Sequence, residues 1–152
     1  MVRSLVQFVM LLSVIGWARA ASFGGASWAG QPYSVTMPTH ITALGQSFNS
    51  SSNLTLQHDV SCSIGVSVAQ AGDEILTNGG ATLTTSYKLT GAGLQNGDAG
   101  WVASTAFLAH TYNVPSTGPT DIVTISVKAD APADHAPEAG AYTASIILTV
   151  SW

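Results

Sequence analysis

The stretch "NLTLQHDVSCSIGVSVAQ" (53–70) constrains this chain more than any other. Its even positions read Leu54, Leu56, His58, Val60, Cys62, Ile64, Val66 and Val68, and the odd positions between them are Thr, Gln, Asp, Ser, Ser, Gly and Ser. A period of two places alternate side chains on opposite faces of an extended chain, so one face here is apolar and the other polar. Strands run to about 5–6 residues on average, so a run this long predicts a break, placed near His58-Asp59.

The same device recurs downstream. "ATLTTSYKL" (81–89) sets Leu83, Thr85, Tyr87 and Leu89 against Thr84, Ser86 and Lys88, and "WVASTAFLA" (101–109) follows as a further strand. "DIVTISVKA" (121–129) turns Val123, Ile125 and Val127 inward, and the last run places Tyr142, Ala144, Ile146, Leu148, Val150 and Trp152 on one side. Turn chemistry separates these runs: "TNGG" (77–80), "GAGLQNGDAG" (91–100), "PSTGP" (115–119) and "ADAPADHAPEAG" (129–140), with "NSSSN" (49–53) read as a loop. No run after residue 20 carries a helical period. Short alternating strands between such turns predict an all-β sandwich of immunoglobulin-like type.

The first twenty residues carry Arg3, an apolar stretch from about Leu5 to Gly16, and a small-x-small ending at Ala18-Arg19-Ala20. Residues 1–20 are therefore expected to be a secretory signal peptide cut before Ala21. Its apolar run is shorter than the ~20 residues a membrane span needs, so the mature form is expected to be exported and to lack a span. Beyond residue 20 the only basic side chains are Lys88 and Lys128, against eight acidic ones. Nucleic acid and anionic membranes need clustered Lys and Arg, so neither is an expected partner. Low charge also leaves little electrostatic protection against self-association.

Residues 21–31, "ASFGGASWAGQ", read as a mobile Gly- and Ala-rich lead. "PYSVTMPTHITA" (32–43) follows, with Tyr33, Val35, Met37, Ile41 and Ala43 on one alternating face; Pro38 restricts it to an edge or a bulge. The sandwich body is placed at 44–152.

The ending "HAPEAGAYTASIILTVSW" (135–152) resembles the C-terminal signature of chaperone–usher pilins, of either the alternate class or the archaic class that shares the spore-coat-protein-U domain. The residues that carry the resemblance are Pro137, Gly140, Tyr142 and the row through Trp152. "SYKLTG" followed by "WVASTAF", and "VSCSIGVSV" with its Cys62, match the same subunits. In archaic subunits that cysteine pairs with one nearer the N-terminus, and this chain has no second cysteine; both subclasses stay open.

The resemblance implies an immunoglobulin-like sandwich that lacks one strand, filled first by a periplasmic chaperone. An outer-membrane usher then exchanges the chaperone for a donor strand from the neighbouring subunit. It implies a homopolymer of identical subunits in an extracellular fimbria that supports adhesion or biofilm formation, with the chain ending on a strand that borders the groove. On that basis Tyr33, Val35, Met37, Ile41 and Ala43 are expected to form the donor, and Tyr142, Ile146, Leu148, Val150 and Trp152 the acceptor side. A donor from Tyr33 to Ala43 would span about 35 Å. Burying four of its side chains would contribute roughly 6–12 kcal/mol before the cost of ordering it. The stretch from Phe23 to Trp28 is a rival donor. A self-complete secreted β-sandwich module, whose N-terminal segment fills its own groove, is the alternative reading.

Other chemistry finds little support. Cys62 lies in an apolar row, which favours a small buried hydrophobe over a reactive thiol. His40, His58, His110 and His135 lack metal-ligand spacing, and the acidic residues form no calcium ladder. "GAGLQNG" has Asn96 where a dinucleotide fingerprint needs its last Gly, and "GASWA" (25–29) is one residue short of a nucleophile elbow. Neither a cofactor nor catalysis is expected. Trp28, Trp101 and Trp152 could form a ligand-stacking surface; core or groove filling is the preferred reading for Trp101 and Trp152, and packing on a neighbouring subunit for Trp28.

Overall fold

The alternating row around His58 becomes two strands that lie in different sheets. The computed structural model describes residues 9–12, 25–29, 33–36, 44–115 and 120–152. In chain order its strands are β1 (Val9–Leu12), β2 (Ala26–Ala29), β3 (Tyr33–Thr36), β4 (Ser47–His58), β5 (Cys62–Ser67), β6 (Thr77–Asn78), β7 (Ala81–Thr82), β8 (Thr84–Thr90) and β9 (Val102–Ala103). A single helical turn, α1 (Ser104–Phe107), precedes β10 (Thr111–Val114), β11 (Thr120–Asp130) and β12 (Ile147–Ser151).

Two antiparallel sheets make the body, one with strand order β2-β4-β11-β8-β9 and one with order β10-β5-β12. The chain leaves β4 at His58 and enters β5 at Cys62, so the break falls where the sequence places it and carries the row from one sheet to the other. The inward residues of both sheets form one cluster: Leu54, Leu56, Tyr87, Leu89, Val123, Ile125 and Val127 from the larger, Ile64, Tyr112, Val114 and Leu148 from the smaller. This is the layered architecture of a sandwich, two sheets each apolar on one face. β6 and β7 form a separate hairpin whose two-residue loop is Gly79-Gly80, and Gly79 takes φ +59°, the left-handed conformation such tight turns demand. β1 and β3 form another antiparallel pair, with Val9 opposite Thr36 and Leu12 opposite Tyr33.

Four expectations differ from what is observed. "NSSSN" (49–53) is a stretch of β4, not a loop, because it pairs rung by rung with β11: Lys128 opposite Asn49, Ser126 opposite Ser51, Thr124 opposite Asn53. A partner rich in Val, Ile and Thr overrides the local preference of Asn and Ser for turns. "WVASTAFLA" forms only a two-residue strand before α1, since the turn swings Phe107 onto Tyr87, ring centroids 5.2 Å apart. Within 21–31, the segment Ala26–Ala29 is a strand paired with β4, opposite residues 55–58. The last run is a strand only from Ile147; residues 142–146 keep the inward alternation but are tied to the rest by a bridge between Thr143 and Thr77 and by Ser145 N–H donating to the Asp73 carbonyl at 2.7 Å.

Candidate subunit interface

The two outer edges of the three-stranded sheet are treated differently. At the β10 edge, the carboxamide of Asn96 acts as a substitute strand. Its Nδ2 donates to the Thr111 carbonyl at 2.8 Å, and its Oδ1 accepts the Asn113 N–H at 2.8 Å. The Gln95 N–H adds a bond to the Asn113 carbonyl at 2.9 Å. The loop that carries these groups is held from beneath by Asp98, whose Oδ2 accepts the Tyr112 hydroxyl at 2.7 Å and the Leu89 N–H at 2.9 Å. Asp98 Oδ1 lies 3.1 Å from His110 Nδ1. Burial, then the hydrogen bond and charge of Asp98, push the Tyr112 phenol well above its ordinary pKa, so it remains a donor.

No such plug lies at the β12 edge among the described residues. Among the described residues, β5 is the one strand that pairs with β12. One contact reaches the free side: the Trp28 indole N–H donates to the Leu148 carbonyl at 3.0 Å. That carbonyl therefore points away from β5, and by the alternation of an antiparallel ladder so do the backbone groups of Val150. Trp28 comes from β2, the outermost strand of the larger sheet, so β2 and the bare side of β12 face one another across one end of the sandwich.

β2 is anchored at its start. Gly25 N–H donates to Asp59 Oδ1 at 2.7 Å, and Asp59 N–H returns a bond to the Gly25 carbonyl at 3.2 Å. His58, opposite Ala26, is buried with Nδ1 at 3.1 Å from the Val60 carbonyl and Nε2 at 2.7 Å from Asp121 Oδ2. The contact with Asp121 locks β4 to β11 beside the end of β2.

The residues expected to form the interface fall into three groups. Ile146 and Leu148 are fully buried, and Val150 is half-buried against the same core. Tyr142 is also buried, although it lies before β12 rather than in it. Trp152 is 56% exposed, so it closes the row outside the core; its ring lies over Gly25 instead. On the donor side, Val35 is 1% exposed and Tyr33 packs against the core, its hydroxyl accepting the Thr55 N–H at 3.2 Å and donating to the Ala29 carbonyl. Met37, Ile41 and Ala43 lie outside the described residues, as does most of the expected signal peptide.

No family model and no curated protein matches the chain. Among solved structures it is similar to the CupB6 tip adhesin from Pseudomonas aeruginosa. The two are 14% identical with a TM-score of 0.38, over 70% of this chain and 36% of that one. The chain thus spans about a third of the length of that structure.

Asn96 is the residue that sequence reasoning missed at these edges, and Trp28, expected to pack on a neighbouring subunit, is instead buried in its own chain with its indole N–H on the Leu148 carbonyl. Ala26 and Trp28 alternate with Ser27 and Ala29, but a two-step alternation flanked by glycine is too short to announce a strand, and nothing local marks Asn96 as a strand mimic. Elsewhere, Cys62 is a buried free thiol, raised above its ordinary pKa by burial and then by Asp121. Trp101 is 39% exposed with the Lys88 ammonium 5.4 Å from its ring centroid, so it covers a surface lysine and fills no core. Among the described residues no group of three or more His, Cys, Asp or Glu side chains is placed to hold a metal ion, and no helix is long and apolar enough to cross a membrane.

Proposed function

We propose that this chain is a structural subunit of an extracellular fimbria, polymerised by insertion of a neighbour's N-terminal segment alongside β12. The observation that carries this reading is the asymmetry of the three-stranded sheet: the β10 edge is sealed by Asn96 and Gln95, while the β12 edge keeps outward backbone groups at Leu148 and Val150. Addition of a strand at such an edge derives affinity from main-chain hydrogen bonds and register from alternate side chains. Tyr33, Val35, Met37, Ile41 and Ala43 supply a matching row, with Ile146, Leu148 and Val150 on the accepting side. The C-terminal resemblance to chaperone–usher pilins supports the same reading. An exposed edge invites aggregation, so a periplasmic chaperone would cover it until an outer-membrane usher exchanges it for the next subunit. The product is a homopolymer on the cell surface, serving adhesion or biofilm formation and performing no catalysis.

One observation favours a second reading, a self-complete secreted module. Val35 is buried in the core of its own chain, and Tyr33 is bonded to Thr55 of β4. Cysteine pairing separates the two. In a Cys62→Ser background, cysteines at 35 and at 146, 148 or 150 are oxidised and run on a non-reducing gel. Polymerisation yields a ladder of cross-linked multimers for at least one pair. Cross-links confined to single chains would establish the self-complete module and end the polymer reading.

A further inference from the structure

Residues 32–43, the proposed donor, lie in the chain between β2 and β4, and those two strands pair with each other in one sheet. The connection 30–46 is therefore tied to its own sandwich at both ends. Its anchors are Ala29, which stands opposite Thr55, and Ser47, which lies about 27 Å from Thr55 along β4. A donor from Tyr33 to Ala43 spans about 35 Å, and residues 30–32 and 44–46 reach only about 10 Å each. With both anchors fixed, an extended donor stays against its own body. Entry into another subunit requires one anchor to let go. β4 is 12 residues long with β11 beside it, whereas β2 is 4 residues long and outermost in the sheet, so β2 is the anchor that yields.

The same short strand also occupies the accepting edge. Trp28 holds the Leu148 carbonyl through its indole N–H at 3.0 Å, and Gly25 lies beneath the Trp152 ring, where a Cβ would stand 3.5 Å from Cε2. β2 is thus fastened to β12 at two points by two tryptophans. Its far end is fastened to the donor: the Tyr33 hydroxyl donates to the Ala29 carbonyl and accepts the Thr55 N–H. Four residues therefore touch both halves of the proposed exchange.

We propose that β2 is a latch that keeps the donor and the acceptor of one subunit inactive together, and that its release from β4 and β12 precedes strand addition. This rests on the polymerisation reading above. Release frees the Leu148 carbonyl for a main-chain N–H and leaves residues 32–43 tethered at β4 alone. A latched chain neither accepts nor donates, and the buried Val35 and the bonded Tyr33 belong to that form. An incoming strand binds the unlatched fraction only, so its apparent affinity rises when the latch is weakened and falls when it is fastened.

The test titrates the chain begun at Ala21 with a fluorescent synthetic peptide of residues 32–43, read by anisotropy. Three forms are compared: the parent, Trp28→Phe, and Ser27→Cys with Gln57→Cys in a Cys62→Ser background. Positions 27 and 57 are opposite one another in the β2–β4 register, so oxidation fastens the latch and reduction releases it. The expected result is peptide affinity about fivefold or more higher in Trp28→Phe than in the parent. The oxidised double-cysteine form should bind about tenfold or more weakly than the same protein reduced, which serves as its own control for folding. Equal or weaker binding by Trp28→Phe, or oxidation without effect, would overturn the latch and leave strand addition at β12 standing. Failure of every form to bind, the reduced one included, would overturn strand addition itself and the latch with it.

Discussion

Substituting Phe for Trp28 removes the indole N–H that holds the Leu148 carbonyl. Trp28 is 5% exposed and Leu148 is 0% exposed, and their bond is 3.0 Å long. A buried carbonyl deprived of its donor costs about 1–3 kcal/mol. For a domain of this size that corresponds to a fall in melting temperature of roughly 3–10 °C. The smaller ring adds a packing loss, so the free chain should be destabilised by at least that amount in urea or thermal unfolding followed by circular dichroism. The informative comparison is a form with residues 32–43 copied after Trp152 through a Gly/Ser linker. If that segment pairs with β12, a main-chain N–H takes over the Leu148 carbonyl, and only the packing loss remains. Trp28→Phe should therefore cost the complemented form about 1–2 kcal/mol less than the free one. Equal costs in both forms would mean that Trp28 keeps its hold when the extra strand is present, and the β12 edge would then not be the docking edge.

Other perturbations probe the rest of the frame. Asn96→Ala frees the Thr111 carbonyl and the Asn113 N–H at the β10 edge; we expect about 1–2 kcal/mol of lost stability and concentration-dependent association, read by light scattering. Asp98→Ala strands the Leu89 N–H and leaves the Tyr112 hydroxyl with His110 Nδ1 at 3.2 Å, and should cost about 1–3 kcal/mol in denaturant unfolding. Asp130 is raised by partial burial but held below its ordinary value of 3.8 overall by hydrogen bonds from Ser47 and Lys128 and by the Lys128 charge. A depressed carboxyl contributes stability above its unfolded pKa, and that contribution disappears as pH falls through the folded value. Asp130→Asn should thus flatten the stability profile below about pH 4, with little change in its shape near neutrality, measured as melting temperature against pH.

The parts of this fold that could be read in the sequence are those where burial on one face imposes alternation. The rows through Leu54, Tyr87, Val123 and Leu148 are of that kind, since a strand with one buried face must alternate. What escaped depends on partners distant in the chain. Trp28 meets Leu148 across 120 positions, and no local pattern encodes that. "NSSSN" has loop composition and becomes a strand because β11 is beside it. "WVASTAFLA" has apolar residues at both alternating and consecutive positions, and the need to bury Phe107 against Tyr87 decides for a helical turn. Of the candidate site, the inward row at Ile146, Leu148 and Val150 was legible; that Trp152 faces solvent was not, because alternation fixes a side of the sheet and not how far the other sheet extends beneath it.

The contrast between the two edges bears on what kind of assembly the proposed subunit can form. A sheet open on both sides can add strands in both directions, and nothing limits that growth, which is the route to sheet aggregates. Among the described residues, sealing β10 with a side-chain amide leaves the three-stranded sheet one edge for an added strand. If that strand comes from a neighbour's N-terminal segment, each subunit accepts one partner and donates to one other through different surfaces. Such a contact is heterologous, and it gives rings if the rotation between subunits closes and filaments if it does not. Asn96 would then matter to assembly without touching the donor, by holding the number of additions per subunit at one. In the self-complete alternative the same seal would simply finish a monomer, so the light-scattering behaviour of Asn96→Ala distinguishes the two only when its aggregates are imaged: branched or sheet-like assemblies alongside filaments accord with the polymer, and amorphous dimers or clusters of an otherwise monomeric parent accord with the module.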